Sequence, residues 1–379
     1  MQFVHDAPYS RVVFGVGSRL ELGAELGRLG LTRPLLVSTP SLRAGRELSD
    51  LLAALLVGRF DEVAMHVPTD VAARAVAAAR ATDADSVVVV GGGSAIGTAK
   101  ALAKDTHLPI LAVPTTYAGS EMTPIWGVTD NRRKTTRRDP HVLPRVVIYG
   151  PELTVSLPPT LTAASGMNAL AHLAECLYAP QVSPLAVLMA QEGIRALAGG
   201  LPKVVADPSD INARVEVTYG AWLGGWTLGT TGMGIHHKIC HTLGGTYDLP
   251  HAPSHSAVIP YALAVNAHAS PAAMAAVEAA FLAAGRQVDH AAGAIWDLRN
   301  EIGATQSLSA LGFPAEEIDA AADIVVQGRP LNPRPVDHAC VRAVLAASCA
   351  GDRARMDVPL TMLPVADQRP LSQRQPGGL

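Results

Sequence analysis

The sequence has 379 residues, of which 49% are hydrophobic and 17% charged, and its formal net charge at pH 7 is −3. This length predicts two domains, and the hydrophobic content excludes a disordered chain. A nearly neutral charge without a basic stripe argues against nucleic-acid binding. There is also no apolar run of about 20 residues, so we expect no membrane span.

The four cysteines and the N-terminal segment indicate a cytoplasmic protein. Cys176, Cys240, Cys340 and Cys349 are far apart and lack metal-type spacing. We therefore expect them to be small apolar residues in a reducing compartment. The first ten residues, MQFVHDAPYS, include an acidic residue and no long apolar run, which is unlike a signal peptide.

The first 150 residues alternate strand-like and helix-like segments. Apolar runs at Arg11–Gly17 and Pro34–Ser41 are predicted strands, and the Ala-rich segment after Pro68 is a predicted helix capped by Thr69 or Asp70. Further buried strands are predicted at 86–94, 108–116 and 144–151, and a short basic run at 132–138 is a predicted solvated loop. Such alternation predicts an open, mostly parallel, Rossmann-like α/β sheet with helices on both faces.

The pattern changes after about residue 153. Long segments with helical spacing, such as 183–201 and 270–303, replace the β-branched runs. We therefore predict a dinucleotide-binding α/β domain over residues 1–153 and an all-α domain over 154–365. The last residues, 366–379, are polar and rich in Pro and Gly, which predicts a mobile tail.

A glycine-rich loop, Gly91–Ser94, joins a predicted buried strand to a predicted helix. Such a junction presents backbone N–H groups and the positive end of the helix dipole to an anion. Gly92, Gly93 and Ser94 would let a pyrophosphate approach the backbone closely. The loop matches neither GxGxxG nor a Walker loop, so a tight turn without a ligand is the alternative.

The next predicted strand ends in the segment PTTYAGSEMTP. Thr115, Thr116, Tyr117 and Ser120 would therefore lie at the carboxyl edge of the same sheet. Open α/β sheets bind their ligands at this edge, which favours a dinucleotide site over an empty turn.

Histidines are concentrated in the segment Gly234–His251, which contains four of the thirteen. His237 and His241 would share one face of a helix that extends to Gly244. His251 follows a predicted Gly-Gly turn and could fold back toward them. This arrangement is typical of a metal site in outline.

A second pair with the same spacing strengthens this interpretation. Asn168 and His172 are four residues apart in a predicted helix. A single helical histidine is more often a core or surface residue, and we interpret His236 and His255 in that way. We expect His172, His237, His241 and His251 to be functional.

Five motifs, in order along the chain, carry a family resemblance: VVGGGSAIGTAKALA, PTTYAGSEMTPIWGVTD, RKTTRRDPHVLPRVVIYGPELT, GMNALAHLAE and HHKICHTLGGTYDLPHAPSHSAVIPY. The chain resembles the maleylacetate reductases, a branch of the iron-containing alcohol dehydrogenase superfamily with a dehydroquinate synthase-like architecture. The resemblance implies a homodimer with its active site between an α/β and a helical domain. It also implies NADH-linked reduction of the C=C bond of maleylacetate to 3-oxoadipate in bacterial aromatic-compound degradation.

The resemblance also implies a position for each ligand of the superfamily metal, which an Asp and three His bind. Here these positions are Asn168, His172, His237 and His251, whereas His241 matches a histidine near the nicotinamide. An amide oxygen is neutral and a much weaker ligand than a carboxylate, so we expect no bound metal. A neutral amide beside protonatable imidazoles would instead accept a dicarboxylate substrate.

Without a metal, the histidines would perform the electrophilic chemistry. N–H donors would stabilise the enolate that forms when hydride reaches the alkene carbon. A histidine would protonate the adjacent carbon, and His241 is our first choice, with His251, His237 and His172 as binders or alternates.

Three more residues are candidates at the edges of the site. The resemblance places Lys134 near the cofactor ribose or nicotinamide, and Arg334 could clamp a carboxylate. For both, an exposed surface cation is the alternative. Thr39 follows a strand where many sites have an acidic residue that holds the ribose, so NADPH stays possible beside NADH.

Other functions stay open. A metal-dependent alcohol or aldehyde dehydrogenase and a dehydroquinate-synthase-like lyase both need a carboxylate ligand, which Asn168 does not provide. A non-catalytic nucleotide-binding protein would not need the histidine set. We expect a small dicarboxylate as partner, and neither nucleic acid nor a membrane.

Overall fold

A computed structural model describes residues 3, 5–7, 9–130, 133–180 and 182–353. The predicted tail and the end of the predicted helical domain lie outside these residues. The described strands are β1 (Arg11–Phe14), β2 (Pro34–Ser38), β3 (Gly58–Phe60), β4 (Ser86–Gly91), β5 (Ile110–Pro114), β6 (Ile125–Asp130), β7 (Arg133–Arg138) and β8 (Val146–Tyr149).

Six of these strands form one parallel sheet in the order β1-β8-β5-β4-β2-β3. The helices of this half are α1 (Leu22–Arg28), α2 (Arg43–Leu51), α3 (Thr69–Ala81) and α4 (Gly93–Thr106). Val87 and Val89 pack toward α3 and α4, and Val88 and Val90 pack toward α1 and α2. Successive side chains of a strand point to opposite faces, so a continuous apolar run implies cover on both sides. The predicted open parallel sheet is confirmed.

The described part of the short basic run, residues 133–138, is not a loop. It forms β7, which pairs in antiparallel register with β6. Arg138 Nη2 donates to the carbonyl oxygen of Gly229 at 2.8 Å, so this end of the hairpin is attached to the helical half. The predicted loop was therefore wrong, because cross-strand pairing of these polar residues depends on a partner strand that composition does not indicate.

The cap of α3 also differs from the prediction. Pro68 takes the N-cap position, and neither Thr69 nor Asp70 caps the helix by its side chain.

The second half of the chain is helical: α5 (Pro159–Leu177), α6 (Pro184–Ala206), α7 (Ile211–Thr230), α8 (Ile235–Tyr247), α9 (His251–Asn266), α10 (Pro271–Ala283), α11 (Ala291–Glu301), α12 (Ile318–Gln327) and α13 (His338–Ala350). The predicted helical segment at 183–201 corresponds to α6, and its first residue, Ser183, is the N-cap whose Oγ accepts from the backbone N–H of Ala186. The segment at 270–303 is two helices, because α10 is followed by Gly285 in the left-handed region (φ 77°).

The two halves touch where the loop after β5 meets α7. A Cβ built on Gly225 of α7 would lie 3.0 Å from the Cα of Gly119 in that loop. Only a residue without a side chain allows the two backbones to approach so closely. The last strand ends at Tyr149 and α5 begins at Pro159, and the domain limits at 153 and 365 stay predictions. No helix in the described part of the chain is both long and apolar enough to span a membrane.

Candidate active site

The glycine-rich loop and the end of β5 form one edge of the sheet. Gly91 ends β4, and its carbonyl oxygen accepts from the backbone N–H of Thr115 at 3.1 Å. A Cβ built on Gly92 would lie 2.8 Å from Cγ2 of Thr116, so the two loops are packed together at this position. The structure therefore brings Gly92, Thr115 and Thr116 to one place.

This edge is open at the beginning of α4. Gly93 is exposed, Gly92 and Ser94 are partly exposed, and the first turn of the helix contains no acidic residue. The backbone N–H groups of such a terminus, together with the helix dipole, favour an anion. Thr39 follows β2, the neighbour of β4, and lies partly exposed at the same edge.

Two other predicted binding residues are placed less directly. Tyr117 is buried; its hydroxyl donates to Thr154 Oγ1 at 3.2 Å and accepts from Arg214 Nη1 at 3.1 Å. The Tyr117 hydroxyl thus makes its bonds inside the protein. Lys134 pairs with Thr129 in the hairpin, but its side chain lies outside what the structure describes.

The histidine segment folds differently from the prediction in one respect. The Gly-Gly pair does not form a turn, because α8 continues through it to Tyr247. The chain reverses instead at Asp248, which adopts a left-handed conformation (φ 55°). Asp tolerates this region because its short side chain can bond locally. His251 then begins α9, and α8 and α9 pack against each other.

Three helices bring six histidines together, which we call the histidine cluster: His172 from α5, His236, His237 and His241 from α8, and His251 and His255 from α9. Their ring centroids lie 4.9 Å apart for His172–His237, 4.6 Å for His237–His255, 4.3 Å for His251–His255 and 6.3 Å for His241–His251. His241 and His251 are exposed and the other four are buried. The cluster therefore extends from the surface into the helical core.

The interpretation of His236 and His255 as incidental residues was incomplete. His255 lies 4.7 Å from His236 and 4.6 Å from His237, measured between ring centroids, so it is an integral part of the cluster. The signal in the sequence was the spacing of His251 and His255, four residues apart on one helix. This is the spacing that had drawn attention to His237 and His241.

Sequence reasoning missed a buried carboxylate, Glu175, three residues after His172 on α5. Its Oε1 accepts from the backbone N–H of His236 at 3.0 Å and from the hydroxyl of Tyr178 at 2.9 Å. Its Oε2 is paired with Nδ1 of His237. A carboxylate at Nδ1 holds the proton on that nitrogen, so Nε2 of the neutral ring is free of a proton and can accept one. Burial raises the pKa of Glu175, against the hydrogen bonds that it accepts.

Burial decides the charge of the inner histidines. It lowers the pKa of His236 to about 4 and that of His237 to about 3, and it lowers the pKa values of His172 and His255 well below the usual range. These four rings are therefore neutral near pH 7. These four imidazoles therefore carry no positive charge that would attract an anionic substrate near pH 7, and any positive charge in the site must come from other groups.

Several buried polar atoms of this region have no hydrogen-bond partner among the described residues. They are Oδ1 of Asn168, Nδ1 of His172, Nδ1 of His236, Nε2 of His237 and both ring nitrogens of His255. Buried polar atoms are normally paired, so orphans that occur together point to a polar occupant. A binding site for a small polar molecule explains them.

The loop after β5 connects this cluster with the sheet edge. A Cβ built on Gly119 would lie 3.1 Å from both Cε1 and Nδ1 of His172. Gly119 has φ 76°, a conformation that side chains rarely adopt. The chain that leaves Thr115 and Thr116 therefore reaches the cluster within four residues, so both predicted sites are parts of one region.

The histidine cluster contains one group of side chains that could hold a metal ion. Within the described chain, one group of three side chains has its donor atoms within 4.8 Å of one another, and it is His236, His237 and His255. This is not the set that the superfamily uses, and it contains no anionic ligand. Nε2 of His236 already lies 3.2 Å from the carbonyl oxygen of His255. Glu175 pairs with Nδ1 of His237, and its Oε2 also lies 4.0 Å from Nδ1 of His236.

Comparison with known families places the chain. A model described as iron-containing alcohol dehydrogenase matches residues 9–151, and the C-terminal model of the Fe-containing alcohol dehydrogenase family matches residues 162–349. The chain belongs to the iron-containing alcohol dehydrogenase family. This family member is therefore an oxidoreductase.

Its similar relatives confirm the resemblance found in the sequence. The maleylacetate reductase of Sphingobium indicum is 47% identical over 353 residues, covering 93% of this chain and 98% of the relative. That of Burkholderia cepacia is 46% identical over 352 residues, with 93% and 99% covered.

Solved structures agree on the fold of this family member. The maleylacetate reductase from Rhizobium sp. has a TM-score of 0.87 at 45% identity, covering 93% of this chain and 99% of that one. A 1,3-propanediol oxidoreductase has a TM-score of 0.84 at 27% identity, with 92% and 100% covered. The predicted combination of a parallel sheet and a helical region is confirmed.

Proposed function

We propose that this oxidoreductase uses NAD(P)H to reduce the C=C bond of maleylacetate to 3-oxoadipate in the bacterial degradation of aromatic compounds. The observation that carries the proposal is 46–47% identity to maleylacetate reductases over 93% of the chain. Asn168 at the position of the superfamily aspartate supports the same conclusion.

The dinucleotide would lie along the edge of the sheet. Gly92, Gly93 and Ser94 would hold its pyrophosphate at the beginning of α4. Thr115, Thr116 and Ser120 would face the nicotinamide half, with Lys134 beside the ribose, and Thr39 would face the adenosine ribose. When bound, the nicotinamide supplies the hydride.

The substrate would occupy the polar region of the orphan atoms. The rings of His172 and His255 can each offer an N–H group there, because their unpaired ring nitrogens have no partner among the described residues, and Oδ1 of Asn168 adds an unpaired acceptor. The backbone of Tyr117, rather than its hydroxyl, would border this region. Neutral donors bind a doubly anionic enone without the repulsion that a carboxylate would add.

Arg334 would bind one carboxylate of the substrate. It is partly buried, Nη1 makes only a long contact of 3.5 Å with the carbonyl oxygen of Val265, and Nε has no partner among the described residues. Asn332, two residues earlier, borders Gly234 together with Glu175, since a Cβ on Gly234 would lie 3.1 Å from an oxygen of each. A guanidinium with free donors matches a carboxylate in a bidentate way.

The reaction needs one hydride and one proton. Hydride addition to the alkene carbon β to the ketone moves an electron pair to the ketone oxygen, and the resulting enolate accepts hydrogen bonds from preorganised N–H donors. His241 would then donate a proton to the carbon next to the carbonyl, which completes the saturated bond. As an exposed residue it can be reprotonated from solvent.

Glu175 would support the same step through His237. A carboxylate at Nδ1 would stabilise the imidazolium that forms when Nε2 of His237 takes up a proton relayed from solvent through His251. This offsets the burial that keeps His237 neutral in the resting enzyme. His251 would connect the inner histidines with His241 and the solvent.

The test is NADH oxidation, followed by absorbance, with maleylacetate and chelator-treated enzyme. We expect turnover without added metal, and parallel assays with NADPH give the cofactor preference. Loss of activity on chelation, with recovery on adding iron or zinc, would contradict the metal-independent mechanism.

We also propose that the protein is a cytoplasmic homodimer. Light scattering would test the oligomeric state by measuring the mass of the particle in solution.

A second function is a metal-dependent alcohol dehydrogenase. The fold shared with a 1,3-propanediol oxidoreductase at 27% identity favours it. Oxidation of small diols with NAD⁺, dependent on added iron and without any reduction of maleylacetate, would establish this function and exclude the first.

A further inference from the structure

A fully buried lysine, Lys100, lies on α4 behind the cofactor edge. Its Nζ donates to the carbonyl oxygens of Ser120, Thr123 and Ile125, and it also lies 3.0 Å from Oγ1 of Thr123. An ammonium has three protons, so all of them have partners here. All four acceptors belong to one segment, residues 120–125, which comprises the end of the loop between β5 and β6 and the first residue of β6.

This loop is the chain that joins the two parts of the active site. It leaves Thr116 beside the glycine-rich loop and places Gly119 against His172 and against the backbone of Gly225. The contacts of Lys100 begin at the next residue, Ser120. The ammonium therefore anchors the end of the loop whose beginning contacts the cofactor edge.

The charges around Lys100 are few. Glu121, also fully buried, accepts from the hydroxyl of Tyr149 at 2.8 Å through Oε1, and its Oε2 has no partner among the described residues. Burial lowers the pKa of Lys100 to about 7; Glu121 opposes this shift and Arg138 adds to it. A buried ammonium is costly, and a core position that only needed packing would be better occupied by an apolar side chain.

We propose that Lys100 is a positioning residue that holds the loop in the conformation that places Gly119 against His172. It acts on the reaction through the loop and touches neither substrate nor cofactor. The expected effect on kcat rests on the proposed function, whereas the expected effect on the conformation of the loop does not. It assigns a role to a residue outside the histidine cluster and outside the glycine-rich loop.

The decisive variant is Lys100→Met, which keeps the length of the side chain and removes its donors. We expect the kcat for maleylacetate to fall by about tenfold or more, because a small displacement of a catalytic group has effects of this size. The Kd for NADH, measured by fluorescence, should change much less, since the glycine-rich loop is untouched. The matched control is Lys104→Met on the same helix, whose Nζ pairs with the neighbouring Asp105 and should leave both constants unchanged.

Hydrogen–deuterium exchange gives a readout that does not need the substrate. In Lys100→Met we expect faster exchange in the peptides that cover the loop, residues 117–125, with protection of β4 and β8 retained. If the wild-type enzyme failed to reduce maleylacetate, the function would be wrong while the exchange result would still test the loop.

Chemical rescue separates positioning from general stability. In Lys100→Ala, propylammonium should restore part of the kcat in a saturable way, whereas tetramethylammonium, which has no N–H donor, should not. A folded Lys100→Met enzyme with wild-type kcat, KM and loop exchange would overturn the proposal, even if its Tm were lower.

Discussion

Single side chains of the inner site owe their properties to burial. Asn168, His172, His237 and Glu175 are each at most a few per cent exposed, so a small change of charge among them has large effects. The carboxylate of Glu175 pairs with a ring nitrogen of His237. Two substitutions test this division between an anionic support and a neutral binding surface.

Replacing Glu175 with Gln should lower kcat strongly and leave the fold intact. The amide removes the negative charge that holds the proton on Nδ1 of His237, and loss of the correct tautomer costs about 10²-fold or more in comparable carboxylate–histidine pairs. Steady-state kinetics together with circular dichroism measure this. Tyr178→Phe is the matched control, because it removes a different hydrogen bond to Glu175 and keeps the charge. Equal activity of Glu175→Gln and the wild type would exclude a catalytic role for the pair.

Replacing Asn168 with Asp should restore the anionic ligand of the superfamily set. We expect more bound iron or zinc, measured by elemental analysis, and a higher KM for maleylacetate, because a carboxylate repels the dicarboxylate and strengthens cation binding. The charge argument predicts that both changes occur together. An unchanged KM in a protein that has gained metal would contradict it.

Loops and helix ends determine how these side chains meet. The sheet places the glycine-rich loop and Thr115 side by side, and the loop after β5 then extends to the helical half. Tight contacts at Gly119 and Gly225 hold the two halves together at this point. The geometry of the site thus depends on the segment that joins β5 to β6.

The substitution Gly119→Ala tests that contact. The new Cβ would lie 3.1 Å from His172 and from Gly225, and φ 76° is unfavourable for any side chain, so we expect a loss of about 1–3 kcal/mol in stability. The kcat should fall further than that of the control Gly23→Ala, whose Cβ would meet nothing within 4 Å. Thermal unfolding and kinetics on both variants give the comparison, and a Gly119→Ala enzyme as active as the control would show that the contact is dispensable.

The assembled protein has a pH dependence that no single helix would have. Packing α5 with α9 and α8 with α9 buries four histidines in their neutral form. In the unfolded chain these rings bind protons below about pH 6.5, whereas in the folded protein His236 and His237 bind them only near pH 4 and pH 3. The folded state is therefore increasingly disfavoured as the pH falls through this window.

We expect the free energy of unfolding to decrease below about pH 6.5, by about 1.4 kcal/mol per pH unit for each such histidine. Urea unfolding between pH 7 and pH 4 measures this slope. His236→Gln should make the slope shallower, because one of the groups that must stay neutral is removed. The variant His268→Gln, which changes an exposed histidine outside the cluster, should keep the wild-type slope. A slope that does not respond to His236 would refute the explanation.

Most of the sheet could be predicted, because its strands are short runs of apolar, β-branched residues. Val87 to Val90 form a run that is apolar on both faces, and such a run has few stable environments other than the centre of a parallel sheet. The hairpin of β6 and β7 has no comparable signal, since Arg133–Arg138 is polar and depends on its partner strand. The helices could likewise be predicted from the spacing of their apolar residues, whereas the break between α10 and α11 could not.

The sequence by itself determined the kinds of group that this oxidoreductase can use: a glycine-rich loop, a set of histidines and a neutral asparagine. These follow from residue identity and from spacing along single helices. The meeting of Glu175 with His237, of His255 with His236, and of Lys100 with the carbonyl groups of a distant loop required the folded chain. Such contacts join residues that are 19 to 62 positions apart. A local sequence pattern cannot predict them, because these residues become neighbours only when the helices and loops pack together.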